Sequence, residues 1–285
     1  MNSGDYSQLR SRSVDSIRQA IRRNEYRGHT AGLAPGFLQA NVVILPESYA
    51  LDFMRYCQRN PKPCPLVGVS ETGDPILRTL GAEIDIRTDV PSYCVYREGE
   101  LSETLPDIKA LWSDDMVAFA LGCSFTFENA LIEAGIPIWH IDNDRTVPMY
   151  RSGIMTVAAG GFGGEMVVTM RAIDAERVDD ASRISRRFPL AHGGPVHIGD
   201  PLAIGIADLQ LPDWGDVPPP VGNQVPVFWA CGVTPQQALM HARLPVSISH
   251  QPGRMLITDI DEQAEVPILQ DASKLSIRDA MSSKA

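Results

Sequence analysis

The sequence predicts a mixed α/β chain of the α+β kind, and three observations carry that reading. Short apolar runs rich in β-branched residues recur along the chain, as buried strands require. Between them lie stretches with apolar residues three and four apart, the mark of amphipathic helices. Hydrophobic residues make up 44% and charged residues 21% of the 285, a composition that closes a large core and is not disordered.

Taken in order, residues 13–26 read as a helix with Val14, Ile17 and Ile21 as its apolar stripe. Residues 28–36 carry three glycines and a proline and form an ordered loop. Residues 40–45 are a strand. Pro46 suits a first helical turn, and Tyr49, Phe53, Met54 and Cys57 continue that helix. Strands are expected at 66–69, 92–97 and 116–121. A helix at 125–134 is stopped by Gly135 and Pro137. Residues 138–141, 154–158 and 166–170 read as strands and 174–187 as a charged helix. The triple proline 218–220 is a rigid connector. A strand at 225–229, a helix at 234–243 and a strand at 255–258 complete the set. The first dozen and last fifteen or so residues are polar and read as loose. No internal repeat is visible. The expected organisation is a three-layer α/β domain from residues 1–111 and 217–285, with a smaller α+β domain, 112–216, inserted.

Composition narrows the function. Lys plus Arg is 25 and Asp plus Glu is 35, a net charge of −10. Such a chain lacks the basic field that phosphate backbones need, so nucleic acid is not expected as a partner. No window approaches 18 unbroken apolar residues, so no membrane span is expected. Residues 1–12 hold no apolar signal core. Cys57, Cys64, Cys94, Cys123 and Cys231 are odd in number and form no C-x-x-C. They read as reduced thiols of a cytoplasmic protein.

Four segments could hold chemistry. An apolar strand runs through Gly122-Cys123-Ser124 into a helix. A helix N-terminus binds anions and lowers a thiol pKa, and Glu128, one turn on, could act as acid or base. The same pattern also describes a buried cysteine, an N-cap serine and a glutamate paired with a buried polar group. Ala230-Cys231-Gly232-Val233-Thr234-Pro235 repeats the logic, with Thr234 as N-cap and Pro235 at the first helical position. A plain strand-to-helix turn fits it equally. In the loop 191–201, His192, His197 and Asp200 could supply acid–base groups or bind a divalent metal. Their spacing matches no zinc signature, and a structural role is equally open. In the segment from Tyr26 to Asn41, Thr30, Gln39 and Asn41 can hydrogen-bond a ligand. Arg145 or Arg171 could clamp a carboxylate, and His250 is a further polar candidate. Gly160-Gly161-Phe162-Gly163-Gly164 lacks G-x-G-x-x-G order, which argues against a dinucleotide site. No cofactor is identifiable.

Together these strings resemble the D-glutamate cyclase family, whose bacterial members include hydro-lyases. The resemblance rests on Y-R-G-H-T-A-G-L-A-P-G-F-L-Q-A-N (Tyr26 to Asn41), L-G-C-S-F-T-F-E (Leu121 to Glu128) and H-G-G-P-V-H-I-G-D-P (His192 to Pro201). It extends through P-D-W-G-D, V-F-W-A-C-G-V-T-P-Q and P-G-R-M-L-I-T-D, and so covers nearly the whole chain. One departure is Gln251, where the family tends to read alanine after histidine; His250 is kept. The resemblance implies two intertwined domains and a lyase that eliminates water. The named reaction is closure of D-glutamate to 5-oxo-D-proline. It implies a small carboxylate as substrate, and a homo-oligomer is possible. Dehydration of a hydroxy acid and plain carboxylate binding are the alternatives. For glutamate closure the expected catalytic set is Cys123, Ser124, Glu128, His192, His197 and Asp200, with the turn at Cys123 and Ser124 cradling the carboxylate and Glu128 or His192 as acid or base. The expected binding set is Thr30, Asn41, Arg145, Arg171, Cys231, Thr234 and His250. These residues are expected to converge on one electropositive hollow.

Overall fold

The computed structural model describes residues 3–265. In chain order the helices and strands are α1 (Ser3–Leu9), α2 (Val14–Arg22), β1 (Phe37–Pro46), α3 (Glu47–Arg59), β2 (Leu66–Val69), β3 (Tyr93–Arg97), β4 (Glu100–Leu105) and β5 (Met116–Gly122). They continue with α4 (Phe125–Glu133), α5 (Trp139–Asp142), β6 (Met149–Met155), β7 (Glu165–Ile173), α6 (Val178–Ser185), β8 (His197–Ile198), β9 (Val225–Ala230), α7 (Val233–Ala242), β10 (Ser247–His250) and β11 (Leu256–Asp261). Seven strands form one sheet in the order β2-β5-β1-β10-β3-β4, with β11 also on β1; four form a second, β6-β7-β9-β8. The pairings between these strands are antiparallel. The class is therefore mixed α+β, without the parallel crossovers of a βαβ fold.

Strand β1 is the axis of the first sheet. Ala40, Val42 and Ile44 face one buried cluster, while Val43 and Leu45 face another. A strand buried on both faces loses the apolar–polar alternation, which is why its sequence reads as one apolar run. Phe53 and Tyr56 of α3 and Leu239 of α7 cover the second face. The first face is covered by the irregular segment that holds Leu77, Leu80, Ile84 and Ile86.

Several expectations change. In place of the strand expected at 138–141, helix α5 spans Trp139–Asp142, because a four-residue apolar run cannot signal its own periodicity. The strand expected at 154–158 lies earlier, as β6. The first dozen residues contain α1, anchored by buried Tyr6, whose hydroxyl donates to the Ala31 carbonyl at 2.6 Å. The expected loose tail lies largely outside the described residues. Strand β5 belongs to the first sheet and β9 to the second, so sheet membership does not follow cuts at 112 and 216.

The structure also contains a repeat that the sequence hides. The register of β1 on β5 runs from Ala40↔Gly122 to Ile44↔Ala118. That of β7 on β9 runs in step, from Val168↔Ala230 to Ala172↔Pro226. Each pair leads through a cysteine into a helix, α4 or α7. The third strand of each set is exchanged: β11, after α7, joins β1, and β6, after α4, joins β7.

Candidate active site

The two turns are built alike. The Cys123 N–H donates to the Gln39 carbonyl at 2.9 Å, and the Cys231 N–H to that of Val167 at 3.0 Å. Thr126 Oγ1 accepts the Gln39 N–H at 3.1 Å, and Thr234 Oγ1 the Val167 N–H at 3.0 Å. Thr234 is thus inside its helix and ties α7 to β7; it is not the expected N-cap. Ser124 does not cap either, having no side-chain bond to α4. The thiols are not activated. Burial pushes the Cys123 thiol up and that of Cys231 up to about 11, outweighing the N–H groups at the helix starts. The turns do meet, with Asn41 and Thr169, around one void of about 10 Å³, room for a single water. Phe125, Val147, Met149, Val233 and Met255 wall it, so it is not the electropositive hollow expected. Asn41 spends its amide on the Leu121 and Gly122 carbonyls, at 3.2 and 3.0 Å.

The charged groups gather one helical turn further on. Glu128, 1% exposed, takes the Arg171 Nε–H at 3.0 Å on Oε1, and Arg171 Nη2 bonds the same oxygen. Arg171, 4% exposed, also donates to Thr169 Oγ1 at 3.0 Å and Ser124 Oγ at 3.2 Å. Its guanidinium lies 5.2 Å from the ring centres of both Phe127 and Trp229, a cation–π sandwich. His140 of α5, 1% exposed, sets Nε2 2.9 Å from Glu128 Oε1. Burial raises the Glu128 pKa, but the charges of His140 and Arg171 overcome it and hold the carboxyl below its ordinary value. Burial of such a cluster is tolerable only because it is paired. Arg171, expected to clamp substrate, instead holds Glu128 ionised.

Two clefts flank this cluster. The first, about 110 Å³, is lined by Glu128, Gln39, Phe125, Asn129, Arg10 and Glu262, among others. Two of these lining residues carry a buried acceptor without a hydrogen-bond partner: Glu128 Oε2 and Gln39 Oε1. The Gln39 amide is fixed in orientation, because Nε2 donates to the Thr30 and Leu33 carbonyls at 3.0 and 2.8 Å, which leaves Oε1 as the bare acceptor. Glu262 accepts the Gly36 N–H at 2.8 Å, yet burial raises its pKa. The second cleft, about 240 Å³, is lined by His140, Arg171, Pro218 and Pro219, among others.

The other expected residues lie elsewhere. Thr30 accepts the Met255 N–H at 3.0 Å and fastens the glycine loop. His250 accepts the Val42 N–H on Nδ1 at 3.1 Å, and burial lowers its pKa to about 4. His192 lines neither cleft. Its Nδ1 is 2.7 Å from the Lys62 carbonyl, and burial lowers it to about 4, so near neutrality it has no proton to give as an acid. His197 Nε2 closes its own loop on the Asp200 carbonyl at 2.7 Å, and Asp200 accepts the Leu202 N–H at 3.0 Å. Arg145 is 57% exposed and sits 3.7 Å from Asp216. Among the described residues no three His, Cys, Asp or Glu side chains are grouped to hold a metal ion; His192, His197 and Asp200 do not fit one. His140, Arg10 and Glu262 were missed. Only the scarcity of histidine, six in the chain, pointed to the first.

A sealed carboxylate, guanidinium and imidazole beside a cleft are the candidate site of this α+β protein. A family model described as D-glutamate cyclase matches residues 117–259. A protein of Dinoroseobacter shibae named "Putative hydro-lyase" is 65% identical over 268 residues, 94% of this chain and 89% of its own. Proteins of the same name from Jannaschia sp. and Azorhizobium caulinodans are 60% and 52% identical, over 90% and 87% of this chain and 96% and 91% of theirs. The chain belongs to the D-glutamate cyclase family. Among the described residues no helix is long and apolar enough to cross a membrane.

Proposed function

We propose that the chain is a hydro-lyase of a small amino acid, closing D-glutamate to 5-oxo-D-proline in the first cleft. The names of its relatives support a lyase that removes water. The carrying observation is the pair of buried acceptors without partners, Glu128 Oε2 and Gln39 Oε1, on one cleft. Buried polar atoms lack partners rarely and with reason, and two acceptors around an anionic carboxylate await a cationic donor. An ammonium group supplies it. A hydroxy acid without an amine does not.

In the closure the amine nitrogen bonds the γ-carboxyl carbon and a C–O bond breaks. Two N–H protons leave the amine, and two protons depart with the oxygen as water. Glu128, held ionised, anchors and orients the amine. Arg10, at the same cleft, is placed to take a carboxylate. Glu262, whose pKa is raised, is the group suited to protonate the departing oxygen. Two carboxyls pushed in opposite directions beside one cleft are the usual basis of an acid and base division. Holding the amine against its own chain end supplies much of the acceleration.

The test is incubation with D-glutamate, L-glutamate, 5-oxoproline and 2- and 3-hydroxy acids, with and without divalent metal, followed by mass spectrometry. Loss of one water from D-glutamate is expected, with Glu128→Gln lowering kcat/KM by about 100-fold or more. Turnover of hydroxy acids alone would make the protein a dehydratase. Thermal stabilisation without turnover would make it a binding protein.

A further inference from the structure

Glu128 Oε1 is shared by a guanidinium, Arg171, and an imidazole, His140. Arg171 is permanently charged. His140 Nε2 stands 2.9 Å from the same oxygen, Oε1. The ring also lines the second cleft, and among the described residues Nδ1 forms no hydrogen bond. His140 thus lines a different cleft from Glu128. With a neutral imidazole, Glu128, Arg171 and His140 sum to zero charge; with an imidazolium they sum to one positive charge.

We infer that His140 is a proton-linked specificity residue: neutral, it leaves Glu128 free to hold an ammonium group in the first cleft, and protonated, it opposes that binding. The inference rests on the amino-acid reading above and deepens it. The charged groups facing the ring are few. Glu128 comes from α4 and Arg171 from β7. His29 comes from the glycine loop, with Nε2 2.8 Å from Asp144 Oδ1. Asp142, on the ring's own helix, lines the second cleft. Of these, the His29–Asp144 pair holds the one other imidazole in the set. Like charges in a buried site repel with little screening. Linkage is reciprocal: an ammonium ligand that binds the neutral form must drive a proton off His140.

The measurement is the ¹⁵N imidazole titration of His140 in the intact protein, free and saturated with D-glutamate. Saturation is expected to lower its midpoint by about one pH unit or more, a tenfold change in proton affinity. Below that midpoint, KM for D-glutamate should rise by up to about tenfold per pH unit. His140→Gln keeps an N–H but does not titrate, so its KM should lose that slope; a slope that survives overturns the inference. If D-glutamate binds and the His140 midpoint stays put, the linkage is wrong while the substrate reading stands. If D-glutamate leaves the Gln39 and Asn129 amide signals unmoved, the substrate reading fails. The linkage is then judged by Glu128→Gln, where loss of the carboxylate should lower the midpoint of free His140 by about one unit, and an unchanged midpoint overturns it. Should both variants fail to fold, wild-type calorimetry in two buffers of different ionisation heat decides it. Proton release on binding D-glutamate supports the inference; its absence, or no binding, overturns it.

Discussion

Residues 121–128 and 229–236 follow the same path and end in different chemistry. In both, a strand leads to a cysteine whose N–H bonds the neighbouring strand, and a threonine three residues on closes the same bridge. Position for position, Glu128 in the first answers to Gln236 in the second, and in the strands Arg171 answers to Val43. Each helix residue has its histidine. Gln236 donates to the His250 carbonyl at 2.9 Å, and His250 accepts from β1, so the second set is spent on holding strands together. The first set carries charge and leaves Oε2 bare. What the turns share is scaffold; what they do not share marks the candidate chemistry.

The comparison breaks most visibly at the residue before each cysteine. A Cβ on Gly122 would lie 1.6 Å from the Leu190 carbonyl oxygen, a backbone atom that cannot swing aside, whereas Ala230 already carries a Cβ. Gly122→Ala is expected to cost roughly 4 kcal/mol or more in urea unfolding, and Ala230→Gly only about 1 kcal/mol. Equal costs would mean that the loop holding Leu190 does not close on the first turn.

Acid sharpens the same contrast. Burial holds His250 of the second set and His192 down to about 4, against about 6.5 in the unfolded chain. Folded, these rings stay neutral while the unfolded chain takes up protons. Their contribution is complete above pH about 6.5 and is lost as pH falls toward 4. Each shift corresponds to roughly 3 kcal/mol. His250→Gln should therefore remove roughly 3 kcal/mol of the stability lost between those limits, measured by urea midpoints across pH. An unchanged profile would show that His250 is protonated in the fold.

The smallest effect tests what is shared. Cys123→Ala and Cys231→Ala each delete a buried thiol that no proposed step uses. Each should cost about 1–2 kcal/mol and leave kcat within a few fold. Loss of turnover in Cys123→Ala alone would give that thiol a role in the chemistry that its raised pKa argues against.

Much of the fold was legible because burial writes itself into composition. The apolar runs of β1 and β5 and the stripe of α2 were readable for that reason. Strand β4, with five of six residues exposed, and β10, rich in serine, carried no such signal. In the site, Glu128 and Ser124 stood in a marked turn, and Arg171 was named, though for another task. His140 sat inside a run that looked like a strand. The repeat was invisible because the two turns share little beyond a cysteine and a threonine, and backbone bonds do most of the matching.

The sequence by itself determined which segments are buried, where the two cysteine turns fall, and that the chain has family-like motifs along its length. Those are local matters of side-chain polarity and backbone freedom. Only the tertiary structure decided that Arg171 and His140, far from Glu128 along the chain, surround its carboxylate, and that the thiols are silenced. A pKa and an unsatisfied oxygen depend on which groups come to lie beside them, and strand exchange between the two halves sets that.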